Sequence, residues 1–132
     1  VGWCLHPTLE RQDPMKALSM AIDFYRKYNV ELSQLIHHSD RGVQYCCNEY
    51  VDKLKSLGIQ ISMTQSGDPL HNALAERMNN TLKNGWLFST EDKSLQQVRR
   101  LTKKAIELYN TFRPHQSLQM RTPMEEVGRL TA

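Results

Sequence analysis

The chain has 132 residues, of which 39% are hydrophobic and 23% charged, so it has the makings of one folded domain with a real core and is no disordered tail. Its formal charge of +3 is unevenly spread: residues 1–76 carry seven Lys/Arg against nine Asp/Glu, residues 77–121 nine against three, and residues 122–132 one against two. That asymmetry points to a polyanionic partner for the second half, with a solvated basic helix face as the plain alternative.

No apolar run approaches the roughly 20 residues of a membrane span, and VGWCLHPTLER has neither a basic n-region nor a long apolar h-region, which predicts an intracellular protein. Cys4, Cys46 and Cys47 are odd in number and two are adjacent. They fit neither a disulfide framework nor C-x-x-C spacing and predict reduced thiols, buried or half-buried.

Val1–Leu5 reads as a strand that starts without a preceding turn. Asp13-Pro14 predicts a helix N-cap with proline at the first helical position, and Met15, Leu18, Ile22 and Tyr25 form one face of a helix ending near Tyr28-Asn29. A short strand over Leu35–His38 is closed by the turn Ser39-Asp40-Arg41-Gly42. A second helix spans 48–57, with Tyr50, Val51 and Leu54 inward and Gly58 as its stop. Ile59, Ile61 and Met63 then alternate with Gln60, Ser62 and Thr64 as a third strand. Strands alternating with helices predict an α/β domain with strands brought side by side by helical crossovers.

The turn-rich stretch 65–71 reads as a mobile loop before a helix over 72–86, whose buried stripe is Leu74, Met78 and Leu82. A long helix over 94–112 should face Leu95, Val98, Leu101, Ala105, Leu108 and Phe112 inward. Arg99, Arg100, Lys103 and Lys104 fall on its outer side as two i, i+4 pairs of like charge, a cost that a polyanion would relieve. Thr122-Pro123-Met124-Glu125 reads as a capping box opening a last short helix.

In an open α/β sheet, functional groups collect beyond the carboxyl ends of the strands. Asp40 falls there, and Glu76 lies in the first turns of the helix after the third strand, so both carboxylates can approach one end of the sheet. Paired carboxylates suit a hard divalent cation. Asn80 and Lys83 follow Glu76 on the same face, where the lysine can grip a phosphate. His37 and His38 point to opposite faces of a strand and cannot chelate one ion together. Arg41 either grips substrate phosphate or holds Asp40 through a charge-assisted bond.

The string HSDRGVQY, with 35 residues between its aspartate and the glutamate of HNALAERMNNTLK, then YNTFRPHQSL and a late Thr-Pro, resembles the DDE transposases of bacterial insertion sequences, in the retroviral-integrase superfamily. The resemblance runs over essentially the whole chain. It implies an α/β, ribonuclease H-like fold, incomplete at the N-terminus and carrying added C-terminal helices: a single integrase-core domain over 1–132, with 89–132 a helical extension of it. It implies two Mg²⁺ or Mn²⁺ ions held by three acids, of which Asp40 matches the second and Glu76 the third. The first lies on an earlier strand in the family, so this chain alone is expected to be inactive or nearly so and to bind divalent ions weakly. The first two strands of the family fold would also precede Val1, and the bare strand edge predicts a homo-oligomer.

Further expectations from the resemblance are DNA as partner, contacted by Arg41, Asn72, Arg77, Asn80, Lys83, Arg99, Arg100, Lys103 and Lys104, and a place on the bacterial nucleoid. His71 stands where the family has an acid, and Gly85 where it commonly has a glutamate. Tyr109, Asn110, Arg113, Pro114 and His115 read as helix-end packing and a DNA-facing surface. Two rival readings are a noncatalytic DNA-binding regulator of an intact transposase and a ribonuclease H-type nuclease.

Overall fold

A computed structural model describes residues 1–6, 12–64, 73–86 and 92–131, excepting the side chains of Leu74, Ala75, Lys83, Gly85, Trp86 and Leu130. The predicted loop at 65–71 therefore lies outside the described residues. The chain forms two compact units, Val1–Ala73 and Leu74–Ala132.

The first unit is built on a strand–helix–strand crossover. Strand β1 (Ile36–Ser39) and strand β2 (Gln60–Met63) pair in parallel, with His37 opposite Ile61 and Ser39 opposite Met63. Parallel pairing requires the chain to return to the starting end, and two helices carry it back: α2 (Val43–Cys46) and α3 (Asn48–Ser56). Gly58 ends this return with φ +71°, a left-handed turn that a residue with a Cβ adopts only under strain. Helix α1 (Gln12–Lys27) supplies Leu18 and Ile22 to a core closed by Tyr50, Leu54 and Ile59. Leu18 and Ile22 on α1 and Tyr50 and Leu54 on α3 are among the inward positions that the 3.6-residue period predicts.

Three expectations are corrected here. Val1–His6 forms no strand ladder among the described residues; apolar character favours an extended chain, but a strand also needs a neighbouring main chain to pair with. The segment packs on α1 instead, so closely at Gly2 that an added Cβ would collide with the Ala17 carbonyl oxygen and meet Ala21 Cβ at 2.9 Å. Asp13 lies inside the first turn of α1 and is buried, its Oδ1 accepting from Lys16 Nζ at 3.3 Å and from Cys4 Sγ at 3.5 Å. The cysteines form no disulfide, but Cys4 and Cys46 are exposed and only Cys47 is half-buried.

The second unit is helical among its described residues. Helix α4 (Ala73–Asn80) continues into a π-helical turn over Thr81–Trp86, and α5 (Leu95–Phe112) and α6 (Pro123–Leu130) follow. Ser94 caps α5 through Gln97 and Thr122 caps α6 through Glu125, each as a reciprocal capping box. The inward face of α5 differs from the predicted stripe: Thr102, Ala105 and Ile106 are buried, whereas Leu95, Leu101 and Phe112 are exposed. Thr102 tolerates burial because its hydroxyl donates to the Val98 carbonyl at 2.9 Å. Among the described residues no helix is long and apolar enough to cross a membrane.

Candidate active site

In the first unit the carboxyl ends of β1 and β2 are locked together around Asp40. Thr64 N–H donates to the Ser39 carbonyl at 3.1 Å, and Arg41 Nε donates to the Thr64 carbonyl at 2.8 Å. Asp40 is exposed, and its Oδ1 accepts from Gly42 N–H at 2.9 Å, so its own turn holds one carboxylate oxygen. Gly42 matters here for space: a Cβ would stand 3.0 Å from Asp40 Oδ1 and 2.6 Å from Gln44 Nε2. Arg41 thus contacts a backbone carbonyl of β2's far end, a partner that neither sequence-based alternative for it supplied.

Behind Asp40 the two histidines part company as strand alternation predicts. His37 Nε2 lies 3.0 Å from Tyr50 Oη, and its ring packs on Tyr45 and Tyr50 at 6.1 and 5.4 Å. Burial lowers the His37 pKa, its own backbone carbonyl partly offsets this, and the neighbouring His38 lowers it further. The Tyr50 hydroxyl is pushed up to about 12, first by burial and then by Tyr45 and Cys47. His38 is exposed on the opposite face, its Nδ1 2.9 Å from Ser62 Oγ. Neither partner is legible in the sequence, since each pair is set by the crossover and not by local spacing.

In the second unit Glu76 occupies the first turn of α4 and is exposed, as are Arg77 and Asn80. Glu76 and Asn80 share a helix face at i, i+4. Lys83 falls in the π-helical turn, where i→i+5 bonding turns the chain less per residue and moves its backbone off that face. Asn72 lies outside the described residues. Arg99, Arg100, Lys103 and Lys104 are all exposed on α5, with Lys103 Nζ 4.0 Å from Glu107 Oε1. An open groove of about 510 Å³ runs beside Gln96, Arg99, Arg100 and Lys103.

Two other arginines of this half share one acid. Glu126 pairs with Arg129 Nη2 at 2.6 Å and Arg121 Nε at 2.9 Å, and these bonds, Arg129 first, hold its carboxyl down to about 2. The Tyr109 ring lies 5.1 Å from His115 and 5.6 Å from the Arg113 guanidinium carbon, so the Tyr-Asn…Arg-Pro-His stretch is a packed helix end.

Among the described residues no group of three or more His, Cys, Asp and Glu side chains stands together as a metal cage. The donors at hand fit a hard divalent cation in kind, since Asp40 and Glu76 are exposed carboxylates while His37 and His38 face Tyr50 and Ser62.

A parallel strand–helix–strand crossover with an aspartate at its carboxyl end, in a chain whose second unit is helical and carries exposed basic residues, defines a mixed α/β protein. Residues 57–123 match the family described as Integrase core domain. The chain is 30% identical to the transposase of IS629 from Shigella sonnei, over 95% of this chain and 40% of that protein. It is 36% identical to the transposase of IS904 from Lactococcus lactis, over 69% of this chain and 36% of that protein, and 35% identical to the putative transposase InsK of IS150 from Escherichia coli, over 67% and 31%. The chain spans less than half the length of these curated relatives. It belongs to the integrase-core family, among relatives that are transposases of bacterial insertion sequences.

Proposed function

We propose that the chain is part of the catalytic core of a DDE transposase with a ribonuclease H-like fold, which cuts element DNA ends and joins their 3′-hydroxyls to target DNA by phosphoryl transfer. The observation that carries this reading is Asp40 at the carboxyl end of β1, locked to β2, in a chain whose integrase-core match includes Glu76. In this reading residues 1–132 work as one integrase-core domain, with 89–132 its helical extension, and the two carboxylates draw together.

Asp40 would offer Oδ2 to a divalent cation, and Glu76 its exposed carboxylate. Bound Mg²⁺ or Mn²⁺ would supply Lewis acidity at phosphorus and a more acidic attacking water or 3′-hydroxyl. Two of three acids leave the cage incomplete, so binding by this chain alone should be weak and its own activity slight. Arg41, Asn72, Arg77, Asn80 and Lys83 would border the DNA path, and Arg99, Arg100, Lys103 and Lys104 would take backbone phosphates without reading bases. The work belongs on the bacterial nucleoid.

Among the described residues β1 is paired on one side only, and Ile36 on it is 64% exposed. A bare edge favours association of copies, so we expect a homo-oligomer; a monomer by light scattering at micromolar concentration would count against that.

Fe²⁺ with ascorbate and peroxide, which cuts a polypeptide beside the bound ion, tests the shared site. Cleavage near both residue 40 and residue 76, suppressed by Mg²⁺, is expected. Cleavage at one of them only would end the shared-cation reading. A noncatalytic DNA-binding regulator of an intact transposase would then be the better account.

A further inference from the structure

One residue brackets Asp40 from both sides. Thr64 donates its N–H to the carbonyl of Ser39, just before Asp40, and accepts at its own carbonyl from Arg41, just after it. Thr64 is buried, so this peptide is a fixed point, whereas Arg41 is exposed overall and spends its Nε–H on that one contact. Between the two bonds Asp40 has a short arc of backbone, and Gly42 N–H then turns its carboxylate by holding Oδ1.

We propose that Arg41 is a positioning residue: by clamping the Asp40–Gly42 turn to the Thr64 carbonyl, it aims Asp40 Oδ2 outward as the ligand oxygen for a divalent cation. The inference rests on reading Asp40 as such a ligand. A guanidinium beside a carboxylate repels a cation, so an Arg41 acting through its charge would weaken metal binding. One acting through geometry strengthens it by restricting the carboxylate to a single pose. The two roles differ in sign.

The experiment is a Mn²⁺ titration of the ¹⁵N-labelled chain, following paramagnetic broadening of backbone amides, in the parent and in the Arg41→Gln and Asp40→Asn variants. Broadening centred on residues 39–42 and 64 is expected in the parent and absent in Asp40→Asn. In Arg41→Gln the midpoint should move to about tenfold higher Mn²⁺, with α1 and α3 amides unshifted and the Gly42 amide exchanging faster with solvent. An unchanged or tighter midpoint in Arg41→Gln would overturn the clamp while leaving Asp40 as ligand. Broadening that survives Asp40→Asn, or none in the parent, would overturn the ligand reading and this inference with it, whatever the exchange rate of Gly42.

Discussion

Tyr50 Oη and His37 Nε2 share a hydrogen bond of 3.0 Å that joins α3 to β1 across the core. It binds the strand that leads into Asp40 to the helix that returns the chain to β2. Tyr50→Phe keeps the ring and its packing on Tyr45 and His37 but removes the partner of Nε2 on the half-buried His37. The expected loss is about 1–3 kcal/mol, read as a lower urea midpoint with an unchanged m-value. A variant as stable as the parent would show that this bond contributes nothing to the fold.

The same histidine sets a pH dependence. Its folded pKa lies below the ordinary 6.5, so the folded chain disfavours the imidazolium that the unfolded chain accepts. The contribution is therefore complete above about pH 6.5 and is lost as pH falls from there toward the lowered folded value, because the unfolded state then binds more protons. His37→Gln should flatten that decline between pH 7 and pH 5 in chemical denaturation. Parallel curves for parent and variant would assign the decline to other groups.

Leu54 is 1% exposed at the centre of the first unit, against Leu18, Ile22, Tyr50 and Ile59. Truncation removes both transfer energy and packing, so Leu54→Ala should cost about 2–5 kcal/mol. Val51, three residues earlier on the predicted face of α3, is only half-buried, and Val51→Ala should cost clearly less in the same urea titration.

What was legible in the sequence was local. The period of Leu18 and Ile22, the Gly58 stop, the Ser94 and Thr122 helix starts and the turn after β1 each follow from residues within one or two turns of the chain. What failed depended on distant partners. Val1–Leu5 has strand character without a ladder, and Arg41 finds a carbonyl 23 residues away. The face of α5 does not follow from apolar residues alone, because Thr102 can bury its hydroxyl by returning it to Val98. The extra turn Val43–Cys46 has no sequence signal beyond the glycine before it. Asp40 was legible as a candidate because a strand end is a local feature; its fixing by Thr64 was not.

Thr122 Oγ1 accepts from Glu125 N–H at 3.3 Å while Glu125 Oε2 accepts from Thr122 N–H at 2.7 Å. Thr122→Ala removes one half of this box and should cost roughly 1 kcal/mol. The loss should appear as fraying of α6 in amide exchange, with α1 and α3 unaffected. Unaltered exchange through 123–130 would mean that the Glu126 pairs with Arg121 and Arg129 hold the helix without its cap.

Arg99, Arg100, Lys103 and Lys104 are exposed within six residues of α5, the densest basic stretch of the second unit. If each contacts one phosphate of duplex DNA, each contributes about 0.9 to the slope of log affinity against log salt. Changing all four to Ala should therefore lower that slope by up to about 3–4 and weaken binding most at low salt, as fluorescence anisotropy with a labelled duplex would report. Duplexes of different sequence should lose affinity alike, because phosphate contacts position a protein without reading bases. An unchanged slope would place the DNA elsewhere and leave the like-charge pairs of α5 as a solvated face. A slope change limited to one sequence would instead argue for base readout from this helix.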